Sequence, residues 1–370
     1  MKRSYDVAAY VWPAYTGNEP RAYIFWPEGY GEWQTVKSAE QKSPEHSWPR
    51  KPLWGYVNEA DPYVMEMEIE AAVSHGVNIF IYDWYWYDHR PFLEQCLDDG
   101  FLKARNNHKM KFYLNWCNHN GSSFWDKRIS DNGDQNIWFG TVDRKDFEII
   151  VDRVINRYFK CENYYRINGC PVFEIYYLQN FILGLGGVDE AAKAIAYFRE
   201  EVKKAGFPDL HLQLNLLGGT DNYTGLDLFC DTEIKEVFEK IKFDSATHYQ
   251  FLAFTNMNRD YAEVIPDAIA EWESEHRNLA MPYYPHVSIG WDNNPRTHKL
   301  LPTICKNNTP EAVQTCLQAA KDFIDRHNIE PRLVTINSWN EWTETSYLQP
   351  DDLYGYGYLN AVKSVFLQEE

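Results

Sequence analysis

The sequence has few of the features that mark several common protein classes. Its 7 cysteines are odd in number and none stand in a Cys-x-x-Cys spacing, so neither a disulfide framework nor a zinc ribbon is indicated. No apolar run approaches the roughly 18 residues of a membrane span. The first six residues, MKRSYD, contain no apolar signal core. We expect a soluble protein without a membrane span. It is periplasmic or extracellular if a signal peptide has been removed, and otherwise cytoplasmic.

Positive charge is also scarce. The chain has 36 Lys and Arg against 54 Asp and Glu, a formal net charge of −18. A negative surface repels phosphate backbones, which argues against a nucleic-acid partner and favours a neutral ligand. There is no H-E-x-x-H, Walker loop, G-x-S-x-G or EF-hand motif, and no tight spacing of metal-ligand residues. We predict that no metal or cofactor takes part; the oligomeric state is not indicated.

Aromatic residues are abundant by contrast. The chain has 14 Trp, 26 Tyr and 20 Phe, which is 16% of its 370 residues. Such a content is typical either of a heavy aromatic core or of an aromatic-lined groove, and composition does not choose between them.

Short apolar runs alternate with amphipathic helical patterns along the whole chain. This pattern predicts a (β/α)₈ TIM barrel that occupies residues 1–370 as one domain. A doubly wound open sheet is the second possibility, but no Gly-rich phosphate loop follows the first strand. The predicted strands are 7–10, 78–82, 111–115, 171–176, 211–215, 244–248, 287–290 and 333–337. The predicted helices are 61–76, 91–107, 143–158, 188–205, 234–242, 261–276, 310–327 and 358–367.

Two of the loops that follow predicted strands are long: residues 11–60 after strand one and residues 116–142 after strand three. In a barrel these loops lie on the face where catalytic sites are built. By this assignment 13 of the 14 tryptophans, all except Trp272, fall in segments on that face. They either pack the long loops as a second small core or form a platform on which sugar rings stack.

The strongest local signal is Asn337-Ser-Trp-Asn-Glu-Trp-Thr-Glu344, directly after the eighth strand. Glu341 and Glu344 are three residues apart among tryptophans. Two carboxylates in one aromatic pocket can have different pKa values and so provide one acid and one base, the pair that glycoside cleavage needs. The alternative is that one of them caps a helix or pairs with an arginine.

Other polar and aromatic residues at strand ends are candidates for binding a substrate, although each alone is more often structural. Asp83 directly follows a buried apolar strand, and Glu174 lies inside one, where a carboxylate is costly unless it faces the barrel mouth. Arg296 could clamp an anion or simply pair with Asp292. The full set of candidates is Tyr10, Trp12, Asp83, Trp84, Trp86, Asn115, Trp116, His119, Glu174, His248, Trp291, Asp292, Arg296, Asn340, Trp342 and Tyr354.

Several blocks of the sequence are similar to a known family. They are Tyr30-Gly-Glu-Trp33, Pro52-Leu-Trp-Gly-Tyr-Val-Asn-Glu-Ala-Asp61, Phe80-Ile-Tyr-Asp-Trp-Tyr-Trp-Tyr87, Ile289-Gly-Trp-Asp292 with Pro295-Arg296, Asn340-Glu-Trp-Thr-Glu344, Tyr347-Leu-Gln-Pro-Asp351 and Tyr354-Gly-Tyr-Gly-Tyr358. Together they resemble the WbsX-like family, named after a polysaccharide-biosynthesis glycosyltransferase and related to the endo-α-mannosidases and endo-α-mannanases of glycoside hydrolase family 99.

The resemblance implies a (β/α)₈ barrel that acts on an oligosaccharide or polysaccharide. Carried over from family 99, Glu341 would deprotonate the substrate 2-hydroxyl, which attacks the anomeric carbon to give a 1,2-anhydro intermediate. Glu344 would be the general acid for the leaving group and then the base for water, with net retention. This sequence has Thr343 where family 99 has His, and Thr345 where both families have Gly.

Three functions follow as alternatives. The first is a retaining glycoside hydrolase. The second is a glycosyltransferase of polysaccharide biosynthesis, against which the chain shows neither a D-x-D triad nor a Gly-rich loop for a nucleotide sugar. The third is a barrel that binds glycans without cleaving them.

Overall fold

A computed structural model of the chain describes residues 5–44, 50–220 and 233–367. Its centre is a sheet of eight parallel strands in the order β6-β5-β4-β3-β2-β1-β8-β7. Between β6 and β7, Tyr283 pairs with Ala246, and Ala246 N donates to Pro282 O at 3.0 Å. The sheet therefore curls into a nearly closed barrel, and the predicted (β/α)₈ fold is confirmed. The strands are β1 Asp6–Val11, β2 Ile79–Tyr87, β3 Lys111–Trp116, β4 Cys170–Ile175, β5 His211–Leu216, β6 Ser245–His248, β7 His286–Ser288 and β8 Leu333–Asn337.

Helices surround the barrel. Helix α1 begins where the Asp61 carboxylate accepts a hydrogen bond from Tyr63 N at 2.9 Å, with Pro62 in the first turn. Thr309 and Pro310 begin α7 in the same way, and the Thr309 hydroxyl accepts from Ala312 N at 3.3 Å. The longer helices are α1 Pro62–Ser74, α2 Arg144–Val154, α3 Leu178–Leu185, α4 Val188–Lys204, α5 Ile234–Ile241, α6 Tyr261–Asn278, α7 Pro310–His327 and α8 Gly357–Phe366.

The helix predicted over 91–107 is confirmed only in part. Strand β2 continues five residues beyond its predicted end, and the chain turns back as a short antiparallel strand, Arg90–Phe92. Leu93 has a φ of +61°, which interrupts any helix at its start. A helical segment follows, in which a π-helix over Cys96–Gly100 runs directly into a 3₁₀-helix over Phe101–Lys103, and another short 3₁₀-helix lies at Asn107–Lys109. The predicted helix is thus replaced at its start by a hairpin and is present only as this shorter, irregular helical segment.

The two long loops lie together over the carboxyl ends of the strands. Arg128 donates to Ile24 O at 2.9 Å, and Phe25 packs edge-on against Trp125 and Trp138, with ring centroids 5.3 Å apart in both cases. Of the 13 tryptophans in the described ranges, ten are buried; Trp48 lies outside those ranges. Four of the clustered tryptophans, Trp12, Trp26, Trp125 and Trp138, thus pack with Phe25 into a second small core above the barrel.

No helix among the described residues is both long and apolar enough to cross a membrane.

Candidate active site

A cavity of about 320 Å³ opens at the carboxyl end of the barrel, beneath the two long loops. Its lining combines two carboxylates, one guanidinium and a wall of aromatic rings. This is the face of the barrel on which enzymes of this fold carry their catalytic groups. The lining residues are Trp12, Tyr85, Cys117, His119, Trp125, Tyr176, Tyr177, Leu217, Tyr249, Arg296, Glu341 and Glu344.

Both predicted glutamates reach this cavity because of a tight turn after β8. Asn340–Glu341 pairs antiparallel with Ser346–Tyr347, and a single helical turn, Trp342–Glu344, lies between them. The turn brings positions 341 and 344 back to the same side. The Glu341 side chain is 5% exposed and that of Glu344 is 13% exposed, so Glu344 has the better access to water.

Asn340 fixes this turn to the rest of the barrel. Its side-chain oxygen accepts from Trp12 N at 2.7 Å, and its amide nitrogen donates to Trp12 O at 2.8 Å. The same nitrogen also donates to the buried carboxylate of Glu59 at 2.9 Å. Asn340 therefore positions its neighbour Glu341 and is itself turned away from the cavity.

One arginine connects three carboxylates. Arg296 donates from Nη1 to Glu344 at 2.7 Å, from Nε to Glu32 at 3.0 Å and from Nη2 to Glu341 at 3.4 Å. Glu32 also accepts from the indole N–H of Trp12 at 2.5 Å. Because Arg296 is buried, its charge is weakly screened and stabilises the ionised form of its partners.

These contacts shift the pKa values within the cavity. Burial raises the pKa of Glu341 well above its usual range; the nearby charges of Glu344, Glu32 and Asp83 raise it further, while Arg296 opposes them. Burial likewise raises the pKa of Glu32, against the effect of Arg296. For Arg296 itself, burial works against the charge but the three carboxylates outweigh it, and its pKa lies well above the usual value.

Two further carboxyl groups lie inside the barrel below the cavity. Asp83 accepts from Asn115 at 2.9 Å and from the hydroxyl of Tyr249 at 2.8 Å. Glu174 accepts from the hydroxyl of Tyr10 at 2.9 Å. Burial raises the pKa of Asp83 to about 7 and that of Glu174 to about 8, in each case against the hydrogen bonds that they accept. Four predicted residues, Tyr10, Asp83, Asn115 and Glu174, thus form the layer of the barrel interior beneath the cavity.

The aromatic wall surrounds the mouth of the cavity. Trp12 packs edge-on against Tyr85 at 5.6 Å and against Trp125 at 5.4 Å. His119 packs against Trp125 at 5.7 Å and Tyr176 at 5.5 Å, and burial lowers the pKa of its imidazole. A wall of ring faces and edges beside paired carboxylates suits the apolar C–H faces of a sugar.

Several predicted residues lie outside the cavity because strand residues alternate between two faces. Asp83 and Tyr85 point inward from β2, so Trp84 and Trp86 point outward and donate to Glu94 at 2.8 Å and to Asp146 at 3.2 Å. Trp116 is also directed outward, where it packs against Phe147, Phe181 and Phe173 of the surrounding layer.

Further predicted residues support the site from behind. Trp342 stacks on Tyr347 at 3.9 Å and donates to Gln349 at 2.6 Å. His248 is buried, with its Nδ1 2.8 Å from the hydroxyl of Tyr283. Trp291 packs half-buried against the core. Asp292 and Tyr354 line a separate pocket of about 380 Å³, and the backbone N–H of Asp292 donates to Glu344 O at 2.7 Å.

The candidate set missed several residues of the site. Glu32 stands in the block Tyr30-Gly-Glu-Trp33, but nothing in one sequence connects it with Arg296, 264 residues away. Tyr85 could have been found from the alternation of β2, since Asp83 and Tyr85 share a face. Tyr249 directly follows β6, so its position at a strand end was a usable signal. Tyr176 directly follows β4 and offered the same signal, and Trp125 lies in the long loop 116–142 that was assigned to the catalytic face.

Thr345, which stands where the similar families have Gly, has a φ of +52°. This is the left-handed region that glycine favours, and it explains why glycine suits this position. The Thr345 hydroxyl donates to Asp292 O at 3.3 Å, which ties the turn to the loop after β7.

Comparison with solved structures supports the fold. The endo-α-mannosidase of glycoside hydrolase family 99 from Bacteroides thetaiotaomicron, in complex with bis-tris propane, superposes with a TM-score of 0.63 at 14% identity over 97% of this chain and 95% of that one. A glycoside hydrolase-like protein gives a TM-score of 0.62 at 16% identity, over 99% of this chain and 94% of that one. At such identities the likeness concerns the fold alone.

Sequence comparison extends the result. Two proteins described as uncharacterized protein WxcX, from two strains of Xanthomonas campestris pv. campestris, are 23% identical over 352 residues, which is 93% of this chain and 47% of each relative. The chain thus spans about half the length of the curated relatives it matches. The family model described as glycosyltransferase WbsX matches residues 7–362. The chain therefore belongs to the WbsX glycosyltransferase family, as the resemblance of its motifs predicts.

Proposed function

We propose that the protein is a glycoside hydrolase that cleaves a glycan with retention, using Glu341 and Glu344. One observation carries the proposal: two carboxylates three residues apart converge on an aromatic-lined cavity at the catalytic end of a barrel and share one buried arginine. The family 99 endo-α-mannosidase, which has the same fold, supports a glycan as the substrate.

The two glutamates have different surroundings, and these suit different roles. Glu341 is the more buried, and burial raises its pKa. A carboxylate with a raised pKa binds a proton more strongly, which favours removal of a proton from a sugar hydroxyl. Arg296, at 3.4 Å, opposes this rise. Glu344 is more accessible to water, which suits the second step, in which it receives a proton from water. Its 2.7 Å contact with Arg296 stabilises its ionised form, so the acid role in the first step requires that contact to lengthen when substrate binds.

In the proposed first step, Glu341 takes the proton of the substrate 2-hydroxyl and the 2-oxygen bonds to the anomeric carbon. The bond from that carbon to the leaving oxygen breaks, and this oxygen takes the proton of Glu344. In the second step, water attacks the anomeric carbon and gives a proton to Glu344. The 2-oxygen leaves the anomeric carbon and recovers its proton from Glu341. Two inversions give net retention.

The charges around the cavity favour a neutral sugar. Arg296 is the guanidinium of the lining, and its three nitrogens already contact carboxylates. A uronate, sulfate or diphosphate group placed there would meet Glu341 and Glu344 without a free cation among the described lining residues, and like charges in a weakly screened site repel strongly.

The test is a panel of α-mannans, pectic fragments and host glycans incubated with the wild-type protein, with new reducing ends as the readout. On the glycan that is cleaved, E341Q and E344Q are expected to lower turnover by about 10²–10⁴-fold, the usual contribution of a general acid or base. The matched control is E148Q on exposed α2, where Glu148 pairs with Arg144 at 2.8 Å. Full activity in both cavity variants would reject the mechanism.

A second test separates the two roles. With an aryl glycoside of the same sugar that carries a dinitrophenolate leaving group, E344Q is expected to give a burst and then slow turnover, because only the second step still needs the base. E341Q is expected to remain slow from the start. A 2-deoxy analogue of the substrate is expected to resist the wild-type protein; rapid cleavage of it would contradict a 1,2-anhydro route.

The description of the family favours one other function, transfer of a sugar. A transferase would add sugar from a nucleotide sugar to an acceptor and release the nucleotide. Mass spectrometry of acceptor glycans incubated with nucleotide sugars distinguishes the two functions. Tight glycan binding without any product over days would instead indicate a barrel that only binds.

A further inference from the structure

Asp83 lies directly below the catalytic glutamates without lining the cavity. Its side chain is buried, and both oxygens accept hydrogen bonds from neutral groups: Oδ1 from Asn115 at 2.9 Å and Oδ2 from Tyr249 at 2.8 Å. A carboxylate held in this way cannot contact a sugar in the cavity. Asp83 can therefore act on Glu341 in two ways: through its charge, which raises the pKa of Glu341, and through a neighbour that contacts both carboxyl groups.

Tyr249 is that neighbour. Its hydroxyl lies 2.8 Å from Asp83 Oδ2 and 3.5 Å from Glu341 Oε1. A phenol has one proton to donate, and the shorter contact directs that proton to Asp83. The remaining lone pair of the phenol oxygen then faces Glu341. This contact becomes a hydrogen bond only when Glu341 carries a proton that it can donate.

We infer that Asp83 is a positioning residue that turns the Tyr249 hydroxyl so that it accepts from, rather than donates to, Glu341. The chain Glu341–Tyr249–Asp83 then stabilises the protonated form of Glu341, the form produced when Glu341 takes the proton of the substrate hydroxyl. Asp83 would thereby make Glu341 a stronger base. This inference rests on the proposed role of Glu341 as the base.

The other groups around Asp83 are consistent with this direction. Burial raises the pKa of Asp83 to about 7, so the carboxylate that orients the phenol proton is present above about pH 7 and is lost as the pH falls below it. Arg296, the cation of the cavity, contacts Glu341 on its other carboxylate oxygen, Oε2. The titratable groups that face Asp83 are Tyr10 on β1, Tyr85 on β2, Cys117 after β3, Glu174 on β4, Tyr176 after β4, Tyr249 after β6, and Glu341 and Glu344 after β8.

The test follows the titration of Glu341 itself, by carboxyl-¹³C NMR of protein labelled at the glutamate side chains, with E341Q to assign the signal. In D83N the new amide can accept from Asn115 and donate to the Tyr249 oxygen, so the phenol proton turns to Glu341 and stabilises its carboxylate. The pH midpoint of the Glu341 titration is expected to be about one unit lower in D83N than in wild type, which is a tenfold change in the protonation equilibrium. The same shift is expected in the pH profile of kcat/KM.

Two further variants separate this role from a general disturbance. In a Y249F background, D83N is expected to shift the Glu341 midpoint by less than half of the shift seen with Tyr249 present, because the connecting hydroxyl has been removed. The matched control is E68Q: Glu68 is also fully buried with a pKa raised to about 7, but it accepts from Trp339 at 2.8 Å, away from the cavity. E68Q is expected to leave the Glu341 midpoint unchanged.

An unchanged Glu341 midpoint in D83N, or an equal shift in E68Q, overturns the inference. If D83N does not fold, Y249F alone decides: loss of the acceptor should lower the midpoint, and an unchanged value overturns the inference. The NMR titration needs no substrate. If the Glu341 midpoint shifts in D83N but the wild-type protein cleaves no glycan, the proposed function is rejected and the coupling between Asp83 and Glu341 is retained. If the protein cleaves a glycan but the midpoint does not shift, the proposed function is retained and the coupling is rejected.

Discussion

Replacing Arg296 by Gln tests the electrostatic core of the site. The change removes the cation that contacts Glu32, Glu341 and Glu344 at 2.7–3.4 Å. Removing one partner of a buried ion pair leaves an uncompensated charge and costs about 3–5 kcal/mol. The unfolding entropy of about 2.1 cal/mol/K per residue gives a chain of 370 residues roughly 0.8 kcal/mol/K, so the expected fall in Tm at pH 8 is about 4–6 °C.

The loss of stability in R296Q should increase as the pH rises. Without Arg296, burial raises the pKa values of Glu32 and Glu341 still further above the unfolded value of about 4.3. A group whose pKa is raised on folding binds more protons in the folded state, so its contribution to stability is lost as pH rises through the folded pKa. The Tm of R296Q is therefore expected to be closest to that of wild type near pH 5 and furthest below it near pH 8.

The assay is thermal unfolding of both proteins from pH 5 to pH 8, with R105Q as the matched control. Arg105 also makes a two-point contact with a carboxylate, that of Glu66, at 2.9 Å from both Nε and Nη2, but its side chain is 77% exposed. An exposed pair contributes about 0–1 kcal/mol, so the control should lose about 1 °C or less. Equal losses in the two variants, or a loss in R296Q that does not change with pH, would refute the reasoning.

Three other predictions test packing and burial. W125F is expected to weaken glycan binding by about 1 kcal/mol in calorimetry, whereas W84F is expected to leave affinity unchanged, because Trp125 lines the cavity and Trp84 points outward. G31A is expected to lower the free energy of unfolding in urea by more than 3 kcal/mol, because Gly31 has a φ of +64° and a Cβ there would lie 1.9 Å from a backbone oxygen. The control is G55A, which also has a positive φ but open space around the Cβ position, and it should lower the free energy of unfolding by about 1 kcal/mol. Wild type is expected to lose stability as pH rises through about 7, where buried Glu68 ionises, and E68Q should lose less over the same range.

Local sequence was a good guide to the barrel strands and to the starts of several helices. Strands six and seven, the weakest predictions, are confirmed as Ser245–His248 and His286–Ser288. The helix predicted over 91–107 began too early, because apolar periodicity does not distinguish the start of a helix from a short hairpin strand buried against the same surface. Trp84 and Trp86 were predicted to bind substrate because of their residue type. They point outward because β2 continues through them and its side chains alternate between the two faces of the sheet.

What the sequence determined by itself is the order of strands and helices, and the pair Glu341 and Glu344, whose spacing is local. Periodicity and short motifs contain this information because they depend on neighbours within a few residues. The tertiary structure alone brought Glu32, Tyr249 and Arg296 to that pair, from loops after β1, β6 and β7. It also decided, through burial and charge at distances of a few ångströms, which carboxylates have raised pKa values, since desolvation depends on the packing of the whole chain.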